Sequence, residues 1–133
     1  MRGKRVPGKD PLSCRTATGR RAESLAARYL ERHGLRVVER NYRCAVGEID
    51  LVCHDGDQIV FVEVRSRRST RYGYPEESIS ATKRKRLIRL AQWYLRARGE
   101  QRCRARFDIV ALLWDRSDNA EIRWIINAFG TDC

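Results

Sequence analysis

Two apolar runs, GEIDLV at 47–52 and IVFVEVR at 59–65, flank the turn sequence His54-Asp55-Gly56-Asp57-Gln58, and this pairing constrains the fold more than any other feature of the chain. Segments rich in Val, Ile and Phe and bounded by Gly and Asp predict strands, and two of them joined by so short a polar segment predict an antiparallel hairpin. Each strand carries one carboxylate, Asp50 and Glu63, in an otherwise apolar stretch. Such a group costs on the order of several kcal/mol unless something charged satisfies it. A divalent metal is a common partner where two carboxylates converge.

The strand period of two puts Glu48, Asp50 and Val52 on one face of the first run, with Ile49, Leu51 and Cys53 on the other. In the second run it puts Ile59, Phe61, Glu63 and Arg65 together, opposite Val60, Val62 and Val64. A four-residue loop, Asp55 to Gln58, pairs His54 with Ile59 and hence Asp50 with Glu63. A two-residue Asp55-Gly56 turn sets Asp50 opposite Phe61 and diagonal to Glu63. Both registers keep the carboxylates on one face, within about 5 to 8 Å. An odd loop length separates them.

Around the hairpin, Ala22, Leu25, Ala26, Tyr29 and Leu30 recur at helical spacing between Gly19 and His33, with Thr18 as N-cap and Gly34 as the stop. Leu35 to Cys44 predicts a strand, and Ser66 to Pro75 a loop. Leu87, Ile88, Ala91, Tyr94 and Leu95 mark a second helix from about Thr82 to Arg98. Ala105 to Trp114 and Glu121 to Ala128 predict two more strands. The order α-β-β-β-α-β-β predicts one α/β domain over 18–133, a mixed central sheet flanked by helices. A basic arm, 1–17, is expected to precede it as a disordered segment.

A formal charge of +11 in 133 residues predicts attraction to polyanions, and an excess carried by Arg suits bidentate phosphate contacts. The bland alternative is an Arg-enriched solvated surface. Charge alone does not tell DNA from RNA. No 18-residue apolar run exists to cross a membrane, and the basic start is followed by no apolar signal region, so a cytoplasmic protein is expected. The five cysteines, Cys14, Cys44, Cys53, Cys103 and Cys133, form no CxxC pair and have no zinc-like spacing with the two histidines. Cys44 and Cys53 fall in apolar segments, as small buried hydrophobes do.

Phosphodiester cleavage with a metal needs oxygens to hold the ion, a water that the ion acidifies, and a cation for the charge developing on phosphorus. Asp50, Glu63 and the Val64 carbonyl can supply the oxygens and Arg65 the cation. Arg65 stays protonated and is no general base. The structural alternative is an ion-pair network of Asp50 and Glu63 with Arg65 or Arg43. Glu48 lies nearer the strand start and is assigned no ligand role, and Asp108 is expected to partner Arg106 or a neighbouring basic residue. Lys83, Arg84, Lys85 and Arg86 either sit at a helix N-terminus, where a phosphate would offset their conflict with the dipole, or lie mid-helix if the helix starts near Glu76 and Glu77. Arg67, Arg68, Arg71, Tyr72 and Tyr74 interleave cations with aromatics, which suits contact with a nucleic-acid backbone and its bases.

GEIDLV, VFVEVRSR, GRRAESLAARYLERHGLRVVERNYR, KRKRLIRLAQWYL and RFDIVALL resemble, in order and spacing, the YraN-like family of small bacterial proteins. That family is a branch of the restriction-endonuclease-like superfamily, similar to archaeal Holliday-junction resolvases. The resemblance implies Asp50 and Glu63 as ligands of Mg²⁺ or Mn²⁺, with Glu23 on the first helix joining them. It implies an endonuclease acting on branched DNA, and by analogy a homodimer. Arg65 stands where the superfamily usually has Lys, and Ala22 where the family usually has Gly. A non-catalytic nucleic-acid-binding protein on the same fold is the alternative.

Overall fold

The structure, a computed structural model, describes residues 17–71, 73–100 and 104–129. The elements are α1 (Ala17–Arg32), β1 (Arg36–Cys44), β2 (Gly47–Asp55), β3 (Gln58–Arg67), α2 (Ala81–Ala97), β4 (Ala105–Trp114) and β5 (Ala120–Phe129). One short 3-10 turn, Pro75–Ser78, precedes α2. The predicted order is therefore the observed one. α1 begins at Ala17, so Thr18 lies in its first turn and is not its cap. The arm expected over 1–17 lies outside the described residues apart from Ala17, as do Tyr72, Cys14, Cys103 and Cys133.

The strands form one five-stranded sheet in chain order, β1-β2-β3-β4-β5. All neighbours are antiparallel except β3 and β4, which run parallel and are joined through α2. The sheet is mixed because a parallel partner needs a crossover longer than a hairpin turn. α1 packs Ala22, Ala26, Ala27 and Leu30 onto Leu51, Cys53, Val60, Val62, Val110 and Leu112. On the other face, α2 packs Leu87, Leu90, Ala91, Tyr94 and Leu95 onto Val52, Ile59, Phe61 and Phe107. Cys53 is fully buried and its thiol is pushed up to about 12, chiefly by burial, so it behaves as a small hydrophobe.

Both outer strands are bulged. β1 carries an extra residue between Val37 and Glu39, and β5 bulges opposite the Phe107 to Ile109 step, with Asn127 at φ 54°. The β5 bulge turns the Asn127 N–H inward to Asp108 Oδ1 at 2.9 Å. Asp108 also accepts from Trp124 Nε1 at 2.8 Å and from Arg106 through two bonds of 3.0 and 3.1 Å. Arg106 is thus its partner, as the sequence suggests, and also bonds Asp55 and Gln58. Removing one member of a buried, hydrogen-bonded charge pair costs about 3 to 5 kcal/mol. Asp108→Ala is expected to lose that much stability in urea unfolding, with Asp108→Asn losing less.

Candidate functional site

The β2–β3 hairpin closes through Asp55 opposite Gln58, with Gly56 at φ 62° in the turn between them. His54 then faces Ile59 and Leu51 faces Val62, which is the register that directs Asp50 toward Glu63. Beyond Leu51 the two strands part. Strict alternation fails there, because Ile49 packs in the α2-side core with Val52, not with Leu51 and Cys53. Asp50 fills the opening: its Oδ2 accepts the backbone N–H of Val64 at 2.9 Å, beside Glu63. An acidic side chain replaces a backbone carbonyl at the point where the ladder ends.

Glu63 lies in the central strand beneath the start of α2 and is 6% exposed. Its Oε2 is 3.4 Å from Arg65 Nη1 and 3.6 Å from Lys83 Nζ. Arg65 follows by two residues on the same strand face. Its Nε–H donates to Ser78 Oγ at 2.8 Å, and Ser78 in turn donates to the Pro75 carbonyl at 2.6 Å. The 3-10 turn therefore fixes the guanidinium. Lys83 arrives because Ser80 caps α2, accepting the Lys83 N–H at 3.1 Å.

Burial pushes the Glu63 carboxyl from 4.5 up to about 7, the charge of Asp50 adds to that, and Lys83 and Arg65 oppose it. Burial outweighs the two cations because both are themselves about one-third exposed, where water screens them. Two adjacent carboxylates whose burial and mutual repulsion disfavour their charged forms suit a hard divalent cation, which offsets both penalties. Mg²⁺ usually takes one or two protein carboxylates and completes its shell with water and phosphate oxygens. Among the described residues no three His, Cys, Asp or Glu side chains group as a metal cage. Glu23, which the resemblance implies as a further ligand, is buried on α1 and joins no such group.

The remaining expected contacts divide. Lys83, Arg84, Lys85 and Arg86 do lie in the opening turns of α2, since the turn at Pro75–Ser78 is separate from the helix. Lys83 faces Glu63, which sequence spacing did not reveal, and Arg84 lies over the Phe129 ring. Arg67 ends β3 half-buried, and Arg71 is exposed. Arg68 pairs with Asp118 at 3.0 Å and lies 5.8 Å from the Trp114 ring, so it braces the β4–β5 turn. Tyr74 stacks under Arg123 at 4.2 Å, a loop anchor. Arg43 pairs with Glu48 at 3.4 Å, not with Asp50 or Glu63.

A family model described as "Uncharacterised protein family UPF0102" matches residues 22–112. The chain belongs to the UPF0102 family. A UPF0102 protein of Dechloromonas aromatica is 50% identical over 117 residues, covering 88% of this chain and 92% of the relative. Those of Moorella thermoacetica and Pelotomaculum thermopropionicum are 47% and 46% identical, each covering 86% of this chain and 97% of the relative. The family match spans Glu23, Asp50, Glu63, Arg65 and Lys83, so every group of the site falls within the UPF0102 region.

The raised Glu63 carboxyl makes stability depend on pH with a defined sign. A group that binds its proton more tightly when folded contributes stability below its unfolded value, here 4.5, and loses that contribution as pH rises through about 7. Without divalent metal, the melting temperature of this UPF0102 protein relative to Glu63→Gln is expected to fall between pH 4.5 and 7. Parallel melting curves for the two proteins across that range would show that Glu63 is not perturbed.

Proposed function

We propose that this protein is a metal-dependent endonuclease that hydrolyses phosphodiester bonds of structured or branched DNA on a restriction-endonuclease-like fold. The observation that carries the proposal is Glu63, buried beside Asp50 with Arg65 and Lys83 converging on it. A carboxylate held against burial and a like charge does not serve stability, and such perturbed groups gather where chemistry is done. A net charge of +11 favours a polyanionic substrate.

Asp50 and Glu63 would hold Mg²⁺ or Mn²⁺, which when bound supplies Lewis acidity and lowers the pKa of a coordinated water. The Asp50 oxygen that accepts the Val64 N–H keeps that carboxylate oriented. Arg65, steadied by Ser78, presents a permanent cation to the phosphate. Lys83 presents a compact second charge from α2, which offsets the absence of Lys at position 65. A scissile phosphate entering the site competes with Glu63 for both cations, so their charge is available where negative charge develops.

The second reading, a DNA-binding protein without turnover, is favoured by the ion pairs that already engage Glu63. Labelled duplex, single-stranded, flap and four-way DNA, with RNA counterparts, incubated with Mg²⁺, Mn²⁺ or EDTA, separate the two. Cleavage of a branched member is expected only with metal. Asp50→Asn and Glu63→Gln should abolish it while leaving DNA binding intact or tighter. Arg65→Ala and Lys83→Ala should each lower the rate by roughly 10² to 10³, as loss of one charge-stabilising group does, and Arg65→Lys should retain activity. A wild type that binds the panel and cuts none of it, with calorimetry detecting no Asp50-dependent metal binding, overturns the nuclease reading.

A further inference from the structure

The outward side of α2 carries a surface that the carboxylate site does not use. The helix has six cations, Lys83, Arg84, Lys85, Arg86, Arg89 and Arg96, and no acidic residue. Lys85, Arg86, Arg89 and Arg96 are exposed, and among the described residues none has an acidic side chain within ion-pair distance. Arg98, just past the helix, contrasts with them, because it pairs with Glu39 and lies on the Tyr94 ring. Lys85, Arg89, Trp93 and Arg96 follow at intervals of four, four and three, which aligns them on one stripe.

Trp93 stands in that stripe 42% exposed. The other two tryptophans are engaged, Trp114 donating to Ser66 Oγ at 2.6 Å and Trp124 to Asp108 at 2.8 Å. Trp93 borders a depression of about 160 Å³ shared with Val46, Arg89, Gln92 and Arg96. A second, of about 200 Å³, lies between it, Arg96 and Ala97. An apolar partner covering the indole would desolvate Arg89 and Arg96 beside it with nothing to pair them. A duplex would satisfy the cations, but its bases are stacked inside and give the indole no face to meet. An unpaired strand satisfies both, through phosphates for the cations and a free base for the ring.

We infer that the outer face of α2 binds single-stranded DNA, with an unpaired base stacked on Trp93 and neighbouring phosphates held by Arg89 and Arg96. The two arginines are seven residues apart, about 10 Å of helix axis, with the indole between them. The stripe leads back through Lys85 toward Lys83 and the carboxylates, about 15 Å from Trp93 along the helix. The inference rests on the nuclease reading only for what the strand meets at Glu63. Binding to α2 stands without it.

The test uses the full chain in EDTA, with fluorescein-labelled oligo-dT and a duplex of equal length. Trp93→Ala, an exposed position whose loss should leave circular dichroism unchanged, is expected to weaken oligo-dT binding roughly 5- to 150-fold, the range for removal of one base stack. Duplex affinity should change by less than about twofold, and Trp93→Phe should keep most of the oligo-dT affinity. Oligo-dT should quench the tryptophan fluorescence of the wild type and not that of Trp93→Phe. Replacing both Arg89 and Arg96 by Gln should flatten the salt dependence of oligo-dT binding by about 0.7 for each phosphate that is no longer neutralised. Unchanged oligo-dT affinity in Trp93→Ala, an equal loss for the duplex, or absence of quenching overturns the inference. If the Trp93 results hold while nothing in the DNA panel is cut and no Asp50-dependent metal binding is detected, the nuclease reading fails and the α2 surface stands.

Discussion

The parallel pairing of β3 with β4 governs the rest of the structure. No tight turn can join parallel neighbours, so the chain leaving Arg67 must travel across the sheet before it re-enters at Ala105. That traverse holds the 3-10 turn, the Ser80 cap and α2. Its first residues come down over the far half of β3, which is how Ser78 reaches Arg65 and Lys83 reaches Glu63. The same pairing encloses Glu63 between β2 and β4 under a helix, and enclosure is the largest cause of its raised pKa. Charge, position and partners of that one carboxyl all trace to strand order.

Two strand carboxylates on neighbouring strands show how surroundings divide one residue type into two roles. Asp108 and Glu63 line the same small cavity with Phe61, Leu87 and Phe107. Asp108 is met by Arg106, an indole N–H and a backbone N–H at hydrogen-bond distances, and is a fully satisfied structural anion. Glu63 is met by two cations at longer range and by another anion. The first arrangement holds β4 and β5 together. The second leaves an oxygen that a cation of higher charge could claim.

Most of the fold was legible because it rests on short periods and punctuation. The hairpin, both helices and the later strands follow from alternation or 3.6-residue recurrence, and Asp50 and Glu63 stood out as charges in apolar runs. The Ser80-to-Lys83 cap was available as a signal too, since a serine three residues before the basic run is an ordinary helix start. Other features were hidden because they depend on what folds over what. Nothing local says that Lys83 turns onto β3, that Arg68 is taken up by Asp118, or that Glu23 becomes buried. The broken alternation at Ile49 was equally invisible, because it arises where two strands part and not from either strand alone.

The bulges on β1 and β5 bear on how copies of this chain can meet. An open sheet offers two edges to any passing strand, and a straight edge is a template for continuous pairing between molecules. Here each edge is bent by extra residues, and at β5 the amide of Asn127 faces Asp108 and not the outside. β1 adds three exposed arginines, Arg36, Arg40 and Arg43, along its length, so a second β1 alongside would bring like charges close together. Self-association by sheet extension is disfavoured at both ends of the sheet. Bent, charged edges of this kind disfavour strand addition as a route to assembly or aggregation and leave side-chain surfaces as the favoured ground for any symmetric pairing.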